Sequence, residues 1–96
     1  MRMMMRARIP VEAGNAGISD GSGPAALQKV MEMVQPESAY LGTDEGGRFA
    51  LIFFDLTDPS DIPAISEPLF QNMNASVEFT PVMNPAEMQA GRAKLA

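Results

Sequence analysis

Hydrophobic and polar residues alternate from Met3 to Ile9, with Met3, Met5, Ala7 and Ile9 on one parity and Met4, Arg6 and Arg8 on the other. A period of two predicts a strand, which Pro10 closes. Breakers crowd the next stretch, Val11 to Gly23, where Gly14, Gly17, Gly21 and Gly23 accompany Asn15, Ser19 and Asp20. A long loop with at most one helical turn is expected there. From Pro24 the period changes: Leu27, Val30, Met31 and Val34 fall at the spacing of one buried helix face, and Pro36 ends the helix. Ala39 to Thr43 and Phe49 to Asp55 flank the turn Thr43-Asp44-Glu45-Gly46-Gly47 and predict an antiparallel hairpin. The second of these strands is apolar at both parities, so it expects burial on both faces and a central place in a sheet.

Asp61 is placed to cap a helix starting at Ile62, with Pro63 in its first turn and Ile62, Ile65, Leu69 and Met73 as its apolar stripe. Pro68 lies inside that helix, where lost bonding and a steric clash cost about 3 kcal/mol, so a kink or break is expected. Ala75 to Val82 alternates again, and Pro81 argues for an edge strand. Asn84-Pro85-Ala86-Glu87 then has the pattern of a capping box with proline at the first helical position.

The order strand, helix, strand, strand, helix, strand, short helix predicts a single α+β domain over residues 1–96. It is the ferredoxin-like βαββαβ arrangement, with a four-stranded antiparallel sheet in the order 4-1-3-2. The helices are expected to cover the face bearing Met3, Met5, Val77 and Phe79. The other face is expected to carry Met4, Ile52, Phe54, Arg6, Arg8, Tyr40 and Glu78, with nothing in the chain left to cover it. An apolar patch of that extent points to a second subunit. Two such faces would close into a barrel, burying on the order of 1,500 Å².

Composition narrows the chemistry. The 96 residues include no cysteine, histidine or tryptophan, which removes disulfides, thiolate nucleophiles, zinc–thiolate sites and the usual proton-transfer side chain. No metal site and no cofactor are expected. A net charge of −5 disfavours nucleic acid and anionic lipid as partners. The longest apolar run, Phe49 to Phe54, is six residues, against about twenty for a membrane span. The start MRMMMRAR lacks the apolar region and cleavage site of a signal peptide, so a cytoplasmic location is expected.

Beyond the layout, the segments RIPVEAGN, Pro36 to Tyr40, Ile62 to Pro68, Asn74 to Glu78 and Pro81 to Pro85 resemble a group of small bacterial proteins in the dimeric α/β-barrel superfamily. The resemblance covers nearly the whole chain. It implies the fold and homodimerisation but fixes no reaction, because that superfamily includes cofactor-free monooxygenases, haem-degrading enzymes, lactone isomerases and binding modules. The histidine-dependent branches have no counterpart here, since the chain has no histidine.

Six residues are candidates for ligand binding: Arg6, Arg8, Tyr40, Glu67, Asn74 and Glu78. Arg6 and Glu78 are expected on neighbouring strands with both side chains on the uncovered face, where the simplest role is a cross-strand ion pair. Arg8 needs a carboxylate, water or an anionic ligand if buried. Tyr40 offers a hydroxyl, and Glu67, beside Pro68, is a candidate base if a pocket between helices and sheet desolvates it. Asn74 fits a helix C-cap or the edge of such a pocket. The glycine-rich segment reads as a lid or a surface loop, Asp55, Asp58 and Asp61 as turn and cap residues, and the methionines as core filling. Two functions follow: binding of a small organic, possibly anionic molecule, or cofactor-independent catalysis on a small aromatic or lactone-like substrate.

Overall fold

The computed structural model describes residues 1–95. Its elements are β1 (Arg2–Ile9), α1 (Val11–Asp20), α2 (Ser22–Val34), β2 (Ser38–Asp44), β3 (Gly47–Asp55), a 3₁₀ turn (Pro59–Asp61), α3 (Ile62–Met73), β4 (Ser76–Pro81) and α4 (Pro85–Arg92). The strands form one four-stranded antiparallel sheet in the order β2-β3-β1-β4. This is the expected order read from the opposite edge, with apolar β3 inside and proline-bearing β4 outside. No helix among the described residues is long and apolar enough to cross a membrane.

Register decides which side chains share a face. Met5 pairs with Ile52 and Phe79, while Arg6 pairs with Leu51 and Glu78. The helices cover the first set: Met5, Ala7, Ala50, Ile52, Phe54, Val30, Ile65 and Leu69 are all buried. Phe54 meets Phe79 edge to face at 6.3 Å between ring centroids, closing the core toward β4. Ile52 and Phe54 therefore belong to the helix-covered face, contrary to expectation, and Phe49, Leu51 and Phe53 stand on the open one. A strand apolar at both parities carries no signal for this choice; only its pairing with the alternating β1 makes it.

The glycine-rich segment is the largest departure from expectation. Val11–Asp20 is a ten-residue helix, and Gly21, in the left-handed region at φ 80°, turns the chain directly into α2. Its glycines serve close approach rather than looseness. A Cβ on Gly17 would lie 3.2 Å from the backbone of Gly23, where α1 meets α2. Buried Gly14 sits beneath the Arg48 guanidinium. A side chain at Gly17 would push α1 away from α2, and one at Gly14 would displace the Arg48 guanidinium.

Other local expectations resolve in detail. Glu45 and Gly46 both take positive φ, 49° and 78°, the two-residue hairpin turn that matches strand twist. Asp61 makes no capping bond; Asp58 instead accepts from the Ser60 backbone N–H at 2.9 Å and starts the 3₁₀ turn that leads into α3. α3 runs through Pro68 without a break. The carbonyl that Pro68 frees belongs to exposed Ala64, where water can replace the missing donor. Asn74 is the left-handed C-cap of α3, and its backbone N–H donates to the Leu69 carbonyl.

α4 begins with the expected capping box: Asn84 Oδ1 accepts from the Glu87 N–H at 2.8 Å, and Glu87 accepts from the Asn84 N–H at 2.9 Å. Every residue of this helix is exposed. It stands off the domain, tied to it by the Arg2–Glu87 ion pair, and the molecule extends 54 Å along its longest axis. The Cα radius of gyration, 15.2 Å, exceeds the roughly 12.5 Å expected of a compact chain this long.

Two predictions follow from this geometry. Gly17→Val lowers unfolding free energy by about 1–3 kcal/mol, whereas Ala16→Ser on the exposed side of the same turn stays within about 0.5 kcal/mol; urea denaturation separates them. The Asn84 N–H, and then the Arg2 guanidinium, hold the Glu87 carboxyl below its usual range. A depressed folded-state value stabilises above the unfolded pKa and is lost as pH falls through the folded one. Amide protection in α4 therefore declines on acidification below about pH 4, and E87Q lacks that pH-linked step.

Candidate functional site

Two polar or concave regions come out of this fold, one on each side of the sheet. On the open face, β1 presents Arg2, Met4, Arg6 and Arg8, flanked by Phe49, Leu51 and Phe53 of β3, by Tyr40 and Asp44 of β2, and by Ser76, Glu78 and Thr80 of β4. Tyr40 is 62% exposed, and Leu51 and Phe53 are half-buried. The expectation that Arg6, Arg8, Tyr40 and Glu78 share this face holds.

The expected pairing within it does not. Arg6 and Glu78 are register partners, yet no ion pair joins them. Arg6 leans the other way, its Cζ 5.8 Å from the centroid of the Phe49 ring, with Nη1 3.4 Å from Asp44 Oδ2. Arg8 holds that same carboxylate with both terminal nitrogens, at 2.7 and 3.0 Å, and reaches Glu45 at 2.9 Å. Asp44 ends β2 at the tight turn and there receives both guanidiniums. Turn chemistry alone accounted for Asp44 and Glu45 in the sequence, and their acceptor role required the register. The Phe49 ring lies over Gly42, whose Cβ would come within 2.8 Å of it, so glycine there provides the floor on which ring and guanidinium stack.

Asn74 and Arg8 both line a groove of about 310 Å³ at the end of the sheet, with Asp44, Glu45 and Ser76. Glu67 is exposed on α3, and its Oε2 accepts from the Gln71 amide at 3.1 Å. It faces solvent and does not line this groove.

On the covered side a cavity of about 270 Å³ opens between the helices and the sheet. Its walls come from β1 and β3 (Ala7, Ile9, Ala50), α2 (Leu27) and α3 (Leu69, Met73), with Gly14 and Gly23 leaving the space. Small residues on facing elements create this volume; larger ones would fill it. The one charged side chain in its lining is Arg48. Arg48 ends β3 on the helix-facing parity, and its guanidinium donates to Asn15 Oδ1 at 3.0 Å and to the Val11 carbonyl at 3.4 Å. Both acceptors are neutral. Unlike Arg2, Arg6 and Arg8, it has no carboxylate partner among the described residues.

Neither Tyr40 nor Glu67 lines the cavity, and no carboxylate does. The described residues hold no cluster of three metal-ligating side chains. An apolar chamber with one uncompensated guanidinium at its wall can bind an apolar body carrying a negative group, and it offers no base or nucleophile. Sequence reasoning missed Arg48 because it reads as a turn-flanking residue; the parity of β3, had it been resolved, would have aimed it at the helices. No protein-family model matches the chain, and no curated protein sequence matches it either.

The open-face cluster makes its own prediction. Asp44→Asn leaves Arg8 without its doubly bonded carboxylate and costs about 1 kcal/mol at low ionic strength. The cost shrinks in molar salt, as thermal melts at two salt concentrations would read.

Proposed function

We propose that this chain is a ferredoxin-like domain of the dimeric α/β-barrel type, a homodimer closed through the open sheet face, that binds a small organic anion. The single observation that carries the binding reading is the apolar cavity with Arg48 in its wall. Apolar pockets with a few placed polar groups are the usual form of small-molecule sites, and this one, at about 270 Å³, is slightly smaller than the usual roughly 300–1,000 Å³. Arg48 bonds two neutral oxygens, one contact to each, whereas a carboxylate would add an opposite charge and a bidentate fit to the guanidinium fork.

The dimer reading rests on the sheet. Met4, Phe49, Leu51 and Phe53 form an apolar field on a face that no helix among the described residues covers. Catalysis receives less support, because the polar candidates Tyr40, Glu67 and Glu78 stand outside the cavity.

Binding is tested with a set of aryl carboxylates, the matching aryl amides and the bare arenes, read by calorimetry and by thermal stabilisation. The carboxylates bind best and raise the melting temperature. Arg48→Met lowers carboxylate affinity by about ten-fold or more while leaving the arene unchanged, and Leu27→Trp, which fills the chamber, abolishes both. Equal binding of all three classes, or none of any, overturns the reading.

A further inference from the structure

We infer that the ligand class of the covered chamber is a linear acyl carboxylate, held by its head at Arg48, with its chain running through the chamber and out between α1 and β2 over Ile18 and Leu41. This rests on the anion-binding reading above and adds to it the shape of the ligand, its direction and the two side chains that measure its length.

The direction comes from where the one charge stands. Arg48 and Ile9 line both the apolar chamber and the polar groove at the end of the sheet, so they form the partition between the two. Arg48 is half-buried there. A carboxylate bonded to its guanidinium keeps water on the groove side and avoids the full cost of burying an ion. Only the uncharged remainder of the ligand then enters the chamber.

Register carries the apolar path onward. Arg48 pairs with Ile9 and Thr43, and the next row on the same face is Leu41, Ala50 and Ala7, about 7 Å further along the strands. On α1, whose Val11 carbonyl and Asn15 Oδ1 accept from Arg48, Gly14 and Ile18 line the chamber one turn apart. Leu41 and Ile18 are 69% and 58% exposed although both belong to the lining. Such residues mark a mouth. Singly, exposed aliphatic side chains need no explanation; here two flank one opening, a row and a turn beyond the cation, and a chain leaving the chamber would remove both from water.

Volume and wall chemistry favour a chain over a ring. The chamber, about 270 Å³, takes about nine groups of roughly 30 Å³, the share of a water molecule. A small arene carboxylate fits inside and leaves Ile18 and Leu41 bare, whereas a longer chain fills the chamber and then covers them. The lining is aliphatic apart from Phe49, and that ring lies against Arg6 on the other side of the sheet. Among the described lining residues no aromatic face is thus free to stack on a bound ring.

The test uses the full chain with hexanoate, octanoate and decanoate below their micelle concentrations, and benzoate as a short rigid reference, read by calorimetry. Affinity rises by about two-fold or more for each methylene, so decanoate binds about ten-fold or more tightly than hexanoate. Arg48→Met weakens every member of the series by about ten-fold. Ile18→Ser combined with Leu41→Ser, with folding checked by circular dichroism, cuts the decanoate-to-hexanoate ratio to about three-fold or less. Carboxylates that bind through Arg48 with no gain from chain length, or a gain that the double variant keeps, overturn the acyl chain and leave the anion site standing. A decanoate gain accompanied by equal affinity for Arg48→Met and wild type is adsorption without a head site, and overturns it as well. No binding by any member, benzoate included, overturns the anion-binding reading and this inference together.

Discussion

The alternation of β1, locked between β3 and β4, is the constraint on which the rest depends. One parity of that strand, Met3, Met5, Ala7 and Ile9, is buried to 8% exposure or less, and a slip of one residue would exchange it for a row containing three arginines. The register that prevents the slip also sorts apolar β3 into a covered set and an uncovered set. It places Arg6 and Arg8 beside Asp44 and leaves Glu78 opposite a guanidinium that has turned away. The two faces follow from one pairing.

On the covered face the consequence is a core with a gap in it. Interiors normally fill to near crystal density, so a chamber walled by Ala7, Ala50, Gly14 and Gly23 reflects small residues at facing positions on sheet and helices. Gly17 and Gly23 let α1 lie close to α2, and Gly14 and Gly23 contribute no side chain to the chamber. Gly23 takes part in both the tight helix crossing and the open volume beside it.

Much of the architecture was legible because it rests on period. The strand order, the central position of β3, the edge position of β4, the hairpin and the Asn84 capping box all follow from alternation or from local turn and cap chemistry. What was not legible required a partner in space. Four glycines in thirteen residues read as loop by propensity, yet Gly14 is buried beneath Arg48 and Gly17 against Gly23 within helices, and only Gly21 breaks the stretch; tertiary contact overrides propensity there. Ile52 and Phe54 lie on the covered face and not the open one expected, because FALIFF has no internal parity signal. Of the candidate site residues, parity brought Arg6, Arg8, Tyr40 and Glu78 together correctly. Partner choice among the charges, and the role of Arg48, depended on side-chain reach across two strands.

The central claim is that the face bearing Met4 is an interior surface in solution, as the face bearing Met5 is within the chain. Methyl NMR with a soluble paramagnetic agent tests it directly, because the two methionines are sequence neighbours on opposite faces and Met83, 65% exposed, serves as a solvent reference. The account predicts that the Met4 methyl is shielded nearly as well as that of Met5, while Met83 broadens. A Met4 signal that broadens with Met83 would show the open face to be wet, and would contradict it.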